Sequence, residues 1–433
     1  MRILVLGGYG AIGTRVVARL LADGHEVTGL GRSVRRAARR MSRARWIGVD
    51  LRLLQDAEAW AGVLGECRPE AIVNAAGVLQ DGGQDDVSAT QYGAMVALYA
   101  AARTAGVTRF VQISATRARS GASTTFMDTK GRADQALIGS GLDWTILRPG
   151  LVIAPEAYGG TALVRALSVF PFVEPLAFAD ARLQCVDVDE VADAICDVLA
   201  GRVESRRVYD LVEDLSHALS EVVGKFRAWH GSTPRRSLSV PRWSVTLAGR
   251  IADGLAWFGW RSPFRTTAQI EIEAGVAGDP AAWREATGRG FRSLDDILAR
   301  RPSTTQDRLF ARAYFAIPAV IGVLSMFWIV TGLVALSNPP RAFVLLGDSG
   351  LSGFTQGVLV YGGAFADVAL GLGILFRKWV RRAAAGMVAM SVAYLVASLM
   401  FAPHLWLDPL GPMLKIFPAL LLACVAAALV DER

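Results

Sequence analysis

The chain reads as a doubly wound α/β domain on a parallel sheet, followed by a bundle of membrane-crossing helices. Three observations carry this reading. Short apolar runs alternate with amphipathic stretches through the first half. A group of glycines stands where the first run passes into the first amphipathic stretch. Beyond Gln306 come four apolar segments of near-spanning length, in a region where charge becomes sparse after Arg312. At 433 residues the chain is too long for one ordinary domain. A composition 52% hydrophobic and 20% charged, with positive mean hydropathy, is too apolar for a wholly soluble protein.

Ile3–Leu6 reads as a strand and Ala11–Ala22 as a helix with Val16, Val17, Leu20 and Leu21 inward. Strands follow at Glu26–Leu30 and Trp46–Val49, then a helix around Ala57–Leu64 and a strand at Ala71–Asn74. Helix Ala89–Ala105 leads to strand Arg109–Ile113, and helix Lys130–Ile138 to strand Trp144–Leu147. From Pro149 to Pro302 the pattern loosens: strands at Gln184–Val188 and Arg207–Val212, helices at Asp189–Leu199 and Leu215–Trp229. Pro241–Trp260, rich in Trp and Leu and set between Pro234 and Pro263, has a helical reading. The expected division is 1–212 for the nucleotide-binding domain, 213–305 for a substrate-side lobe or linker, and 306–433 for four transmembrane helices.

The apolar segments are Tyr314–Leu336, Phe354–Phe376, Ala383–Ala402 and Leu414–Val430, the last the shortest. Each lies near the ~20 residues that cross a bilayer core. Arg308 and Arg312 precede the first, and Arg377, Lys378, Arg381 and Arg382 join the second to the third, against Arg341 and Lys415 on the other side. The positive-inside rule places both termini and the arginine loop in the cytosol. Ile3–Leu6 is too short for a secretory signal, so the N-terminal domain is expected to be cytoplasmic and the chain a multi-pass protein of the cell (inner) membrane.

The net charge of +7 is carried almost wholly by arginine, only four of the 46 basic residues being lysines. Arg32, Arg35, Arg36, Arg39, Arg40, Arg43 and Arg45 cluster, but no basic–aromatic module accompanies them, which argues against nucleic-acid binding. Cys67, Cys185, Cys196 and Cys424 are scattered and read as buried free thiols, and the four histidines have no metal-ligand spacing.

Leu6-Gly7-Gly8-Tyr9-Gly10-Ala11-Ile12-Gly13 spans the first strand-to-helix junction. Gly7 permits the tight turn, Gly10 lets backbone approach a pyrophosphate, and Gly13 lets helix pack on strand. Free N–H groups at Ala11, Ile12 and Gly13 and the positive helix end face the phosphates. The second strand ends Leu30-Gly31-Arg32-Ser33, with no carboxylate for a ribose 2′-hydroxyl. Arg32, helped by Ser33 or Arg36, suits a 2′-phosphate, which favours NADP, with NAD as the alternative. The arginines beyond Arg36 read as a solvated face or as attracted to lipid headgroups.

These residues, with Val49-Asp50-Leu51, Asn74-Ala75-Ala76-Gly77, Gln112-Ile113-Ser114-Ala115 and Leu142 through Gly150, resemble the atypical short-chain dehydrogenase/reductase (SDR) family. The likeness is to the group similar to NmrA-like regulators and the nucleotide-binding accessory subunit of complex I, over about residues 1–200. It implies a Rossmann fold in which Asp50 bonds the adenine and Asn74, Ala75 and Ala76 line its ribose. Ser114 and Lys130 would lie beside the nicotinamide, with Pro149 and Gly150 near its carboxamide.

Short-chain dehydrogenases use Tyr-x-x-x-Lys, the lysine lowering the tyrosine pKa and holding the ribose while the tyrosine moves the substrate proton. Here the spacing gives Phe126-Met127-Asp128-Thr129-Lys130, and phenylalanine transfers no proton. Three readings stay open: binding without turnover; a reductase whose donor is Ser114, Asp128, Thr125 or water; or service by a distant Tyr92 or Tyr158.

Pro403 through Lys415, the apolar run ending Asp431-Glu432-Arg433, Ser325-Met326-Phe327-Trp328 and Asp367 resemble the DoxX-like membrane family, over about residues 310–433. Asp367 falls mid-span, where a carboxylate costs at least ~2.5 kcal/mol and should face the bundle. The residues together imply an NADP-dependent oxidoreductase of a lipid-soluble carbonyl or quinone, with Ser114 and Lys130 catalytic. The alternative is a non-catalytic NAD(P)-binding sensor or assembly factor in a membrane protein complex.

Overall fold

The computed structural model describes residues 1–233, 236–347, 350–409 and 411–430. Pro234, Leu410 and the closing Asp431-Glu432-Arg433 noted above lie outside the described residues. The chain divides into two compact units, Met1–Asp253 with Ser262–Ala311, and Gly254–Arg261 with Arg312–Arg433.

In the first unit strands β1 (Arg2–Leu6), β2 (Glu26–Gly31), β3 (Arg45–Gly48), β4 (Ala71–Asn74), β5 (Arg109–Ile113) and β6 (Trp144–Pro149) form one parallel sheet. Short strands β7 (Leu151–Ile153), β8 (Glu174–Leu176), β9 (Arg182–Leu183) and β10 (Cys185–Asp187) lead to β11 (Arg207–Leu211), the seventh sheet strand; β12 (His217–Ala218) and β13 (Ser237–Ser239) follow. The sheet order is β11-β6-β5-β4-β1-β2-β3, so the chain reverses direction at β1. In sheets of this kind ligands bind at the carboxyl ends of the strands flanking that reversal.

The central strand shows why its residues are apolar throughout. Ile3 and Val5 enter a core with Val16 and Val17 of α1 (Ala11–Ala22), and Leu4 and Leu6 enter the opposite core, so neither face is wetted. Helices α2 (Val34–Arg40), α3 (Ala57–Cys67), α4 (Ala94–Thr104) and α5 (Thr125–Ile138) follow. Helix α5 starts five residues before the expected Lys130, because Thr124 caps it by accepting the Met127 amide. That extension sets Phe126, Lys130 and Asp134 one turn apart on one helix face.

Helices α6 (Gly159–Ser168), α7 (Val188–Leu199), α8 (Leu219–Trp229), α9 (Arg242–Trp257), α10 (Thr266–Glu273), α11 (Ala281–Thr287), α12 (Leu294–Ala299) and α13 (Thr305–Ala313) follow, α7 and Trp283 of α11 packing in the sheet core beside Val16 and Val17. Ile153, Leu176, Leu183, Val222, Phe226 and Ile297 share a third core, so the lobe around it draws on chain from β7 onward. Cys67, Cys185 and Cys196 are buried as expected for thiols, but Cys424 is exposed.

Among the described residues the second unit holds three helices long and apolar enough to cross a membrane: α14 (Ala316–Ser337), α16 (Gly353–Gly373) and α17 (Val380–Phe401). Between the first two lies α15 (Pro339–Leu346), which the apolar pattern does not announce. The fourth apolar segment forms α18 (Ile416–Leu429), 14 residues. At 1.5 Å per residue that is about 21 Å, short of a ~30 Å hydrocarbon core. Helices α14 and α16 close on small residues: a Cβ on Gly332 would meet the Ala364 carbonyl at 2.6 Å, and Ser325 Oγ donates to the Gly371 carbonyl at 2.8 Å. Asp367 faces the bundle, where Tyr394 Oη donates to its Oδ1 at 2.8 Å.

Candidate functional site

The turn between β1 and α1 is shaped for a bulky anion. Gly7 adopts φ +68°, and a Cβ there would stand 2.8 Å from the Ala75 carbonyl oxygen. Gly10 donates its amide to the Gly7 carbonyl at 2.8 Å. A Cβ on Gly13 would fall on that same carbonyl. Helix α1 has no side-chain cap at Gly10 and no acidic residue in its first turn, so the amides beginning at Ala11, Ile12 and Gly13 are left for an anion. A dinucleotide pyrophosphate fits this cradle.

At the end of β2, Arg32 donates Nη1 to the Gln84 carbonyl at 2.6 Å and pairs with Asp85 at 3.0 Å. Ser33 Oγ accepts the Arg36 amide at 3.3 Å, capping α2 and leaving a second positive helix end beside Arg32. Asp50, the residue that the SDR resemblance assigns to adenine, is clasped by Arg52 at 2.6 and 3.0 Å. The bond from Arg52 holds its carboxyl below the usual range. Asn74 is buried, with Nδ2 donating to Gln112 Oε1 at 2.9 Å and Oδ1 accepting the Ala76 amide at 3.0 Å. Its side chain therefore shapes the Ala75–Ala76 turn from within.

At the ends of β5 and β6 the structure gathers the expected catalytic pair. Lys130 is 6% exposed and donates Nζ to the Ile113 carbonyl at 3.0 Å. Burial pulls its pKa down to about 8, against the pull of Asp134. Its ammonium sits 5.7 Å from the centre of the Phe126 ring and lies close to Gly77. Ser114 donates its hydroxyl to Asp134 Oδ2 at 2.7 Å, and Arg148 donates to the same oxygen at 3.0 Å. Asp134 is 2% exposed, and burial raises its pKa despite both donors. Gly150 donates its amide to the Leu211 carbonyl at 3.0 Å, and a Cβ there would strike the Gln184 carbonyl, which fixes the backbone after Pro149.

The alternative donors are differently placed. Asp128 Oδ1 accepts the Gly121 amide at 2.7 Å. Thr125 is exposed at the start of α5, Tyr92 has its ring covered by the Arg132 guanidinium at 3.9 Å, and Tyr158 is exposed at the start of α6. Two residues that the sequence reading passed over now belong to the site. Asp134 is one turn beyond Lys130 on a face otherwise buried through Ala133 and Leu137, and a lone carboxylate there is the signal. Gln91 has a buried Oε1 without a hydrogen-bond partner, near Gly77 and Lys130.

The glycine cradle, the parallel sheet and the lysine–serine pair at its carboxyl edge define an NAD(P)-binding Rossmann domain of the SDR-like class. Residues 7–200 match the NAD(P)H-binding family and residues 325–424 the DoxX-like family. The chain thus couples an NAD(P)-binding domain to a C-terminal DoxX-like domain with apolar, membrane-associating helices. Among solved structures it is similar to the Bordetella bronchiseptica enzyme WbmG in complex with NAD, at 18% identity over 69% of this chain and 92% of that one, TM-score 0.53. It is likewise similar to UDP-glucose 4-epimerase of Thermotoga maritima (16%, 73% and 99%, 0.53) and to dTDP-glucose 4,6-dehydratase of Bacillus anthracis in complex with NAD (15%, 73% and 97%, 0.53). At these identities the likeness is one of fold. No curated protein matches the chain.

Proposed function

We propose that the protein is an NADP-dependent reductase of a lipid-soluble quinone, held in the cell membrane by its apolar helices with the Rossmann domain cytoplasmic. One observation carries the reading: Lys130 keeps its buried place beside Phe126, while the Ser114 proton is committed to Asp134. The site can orient a cofactor ribose, but phenylalanine stands at position 126, where the tyrosine would deliver the proton. Bound there, reduced nicotinamide supplies a hydride. An isolated ketone taking that hydride becomes a strongly basic alkoxide and needs a general acid. A quinone becomes a hydroquinone monoanion, which water protonates. The apolar helices that tether the chain support a substrate dissolved in the same membrane. The arginines of the loop between α16 and α17 support the orientation.

The test is NADPH oxidation by full-length protein in vesicles with a panel of quinones and lipid ketones. Turnover is expected with quinones alone. Ketone reduction by the native chain would overturn the reading. Tight cofactor binding with no turnover on any acceptor would favour a non-catalytic redox sensor or assembly factor, a reading that Phe126 also supports.

NADP preference rests on Arg32, which exchanges Asp85 for the 2′-phosphate on binding. Arg32→Ala removes a charge-assisted contact worth ~1.5–3 kcal/mol, so NADPH affinity should fall about ten- to a hundredfold with NADH affinity unmoved, as read by calorimetric titration. Equal weakening of both coenzymes would count against the assignment.

A further inference from the structure

Helix α9 is amphipathic in the reverse sense. Its inward face is made of small residues: Ala252 and Ala256 are buried, and a Cβ on Gly249 would press on the Gln269 amide. Asp253 ties that face down, accepting from Gln80 at 2.8 Å, from Arg265 at 3.2 Å and from the Thr266 hydroxyl at 2.6 Å. Four of its bulky apolar side chains point away, while Val245 and Leu255 are half-buried. Trp243 is 71% exposed, Leu247 and Ile251 more than half, and Trp257 69%. At spacings of four, four and six residues they fall within a sector of about 120° of the helix. Packing within the chain therefore does not account for them, and a contiguous outward stripe of this kind marks a surface that something covers.

We infer that this face lies in the headgroup region of the bilayer, on the side of the arginine loop between α16 and α17, as a membrane-surface helix. The inference rests on the membrane reading of the apolar helices and is independent of the cofactor and of catalysis. Three observations select lipid over a protein partner. The end of α9 and the residues after it pack at the boundary of the apolar helices: Trp260 Nε1 donates to the Leu375 carbonyl at 2.6 Å, the Phe258 carbonyl accepts the Arg377 amide at 3.0 Å, and the Phe258 and Phe376 rings meet edge-on at 4.8 Å. That is where the apolar span gives way to Arg377, Lys378, Arg381 and Arg382, the polar border of the bilayer. Two tryptophans stand on the stripe itself, the residue type that settles at such borders. Arg250, exposed amid the stripe, supplies a cationic edge that anionic headgroups attract, while Arg242 at its start is paired with Glu273 at 2.8 Å.

The experiment uses full-length protein carrying Cys424→Ser, since the other cysteines are buried. An environment-sensitive fluorophore is placed by Leu247→Cys on the stripe or by Ala248→Cys beside it, and the protein is reconstituted in phosphatidylcholine–phosphatidylglycerol vesicles. At position 247, blue-shifted emission and quenching by shallow nitroxide lipids several-fold above that at 248 are expected, at every protein-to-lipid ratio. Quenching chiefly by aqueous iodide would overturn the inference. So would shielding from both quenchers, which identifies a protein partner, or shielding lost on dilution with lipid, which identifies a second copy of the chain. Ile251→Asp, on an exposed position that leaves the helix fold intact, should reduce lipid quenching at 247 several-fold; an unchanged signal would argue against a lipid-bound stripe.

Discussion

A Phe126→Tyr variant is expected to reduce lipid ketones with NADPH, at a rate about 10²-fold or more above the native chain, within the range that a positioned general acid contributes. The geometry for it is in place. Positions 126 and 130 lie one turn apart on α5, and the Lys130 ammonium is 5.7 Å from the aromatic ring that would bear the hydroxyl. A buried cation so near stabilises a phenolate and lowers the tyrosine pKa toward the working range. Ser114 offers no substitute while its proton goes to Asp134. The measurement is NADPH consumption matched to alcohol formed, beside a cofactor titration. A variant that binds cofactor as the native chain does and still reduces no ketone would show that the proton is not what the site lacks.

Gly13→Val should abolish saturable NADP(H) binding, a loss of at least about a hundredfold. The new Cβ would occupy the Gly7 carbonyl, so α1 must lift from the turn, and overpacking of this kind costs about 1–3 kcal/mol before any phosphate contact is lost. Because those phosphate contacts depend on amides at the same helix end, displacing it removes several together. The rest of α1 remains anchored by Val16, Val17 and Leu20 in the core, so the far-UV dichroism should hold. Gly24→Ala provides the contrast. Gly24 also has positive φ (+79°) but nothing within 4 Å of an added Cβ. Its substitution should cost about 1–2 kcal/mol of backbone strain and leave cofactor binding alone. Equal losses in the two variants would mean that general destabilisation, and not the cradle, governs binding.

How much was legible beforehand differs from residue to residue. The strand Ile3–Leu6, the glycine turn and the long apolar segments are written in runs of a few neighbours, where period and backbone sterics act directly. The start of α5 was hidden, because Gly121 through Thr125 reads as loop until the Thr124 hydroxyl is seen capping it. Arg32 stood out as a basic residue at a strand end that lacks a carboxylate, but its Asp85 partner lies 53 residues on, and nothing local joins them. The helical reading of Pro241–Trp260 was accessible, yet not that Trp243 and Trp257 face outward.

The amino-acid order alone determined which segments become strands, where a phosphate can approach the backbone, which stretches are apolar enough for lipid, and that the proton-bearing tyrosine is missing. Each of these is decided by bonds and sterics within a turn or a strand. Tertiary structure alone decided that Ser114 spends its proton on Asp134, that Arg148 joins them, that Asn74 turns inward, and that Trp243, Leu247, Ile251 and Trp257 of α9 face the outside. Those depend on groups brought together from distant parts of the chain, and which face is buried or which charge is paired is chosen by the competition among such contacts only once the elements have packed.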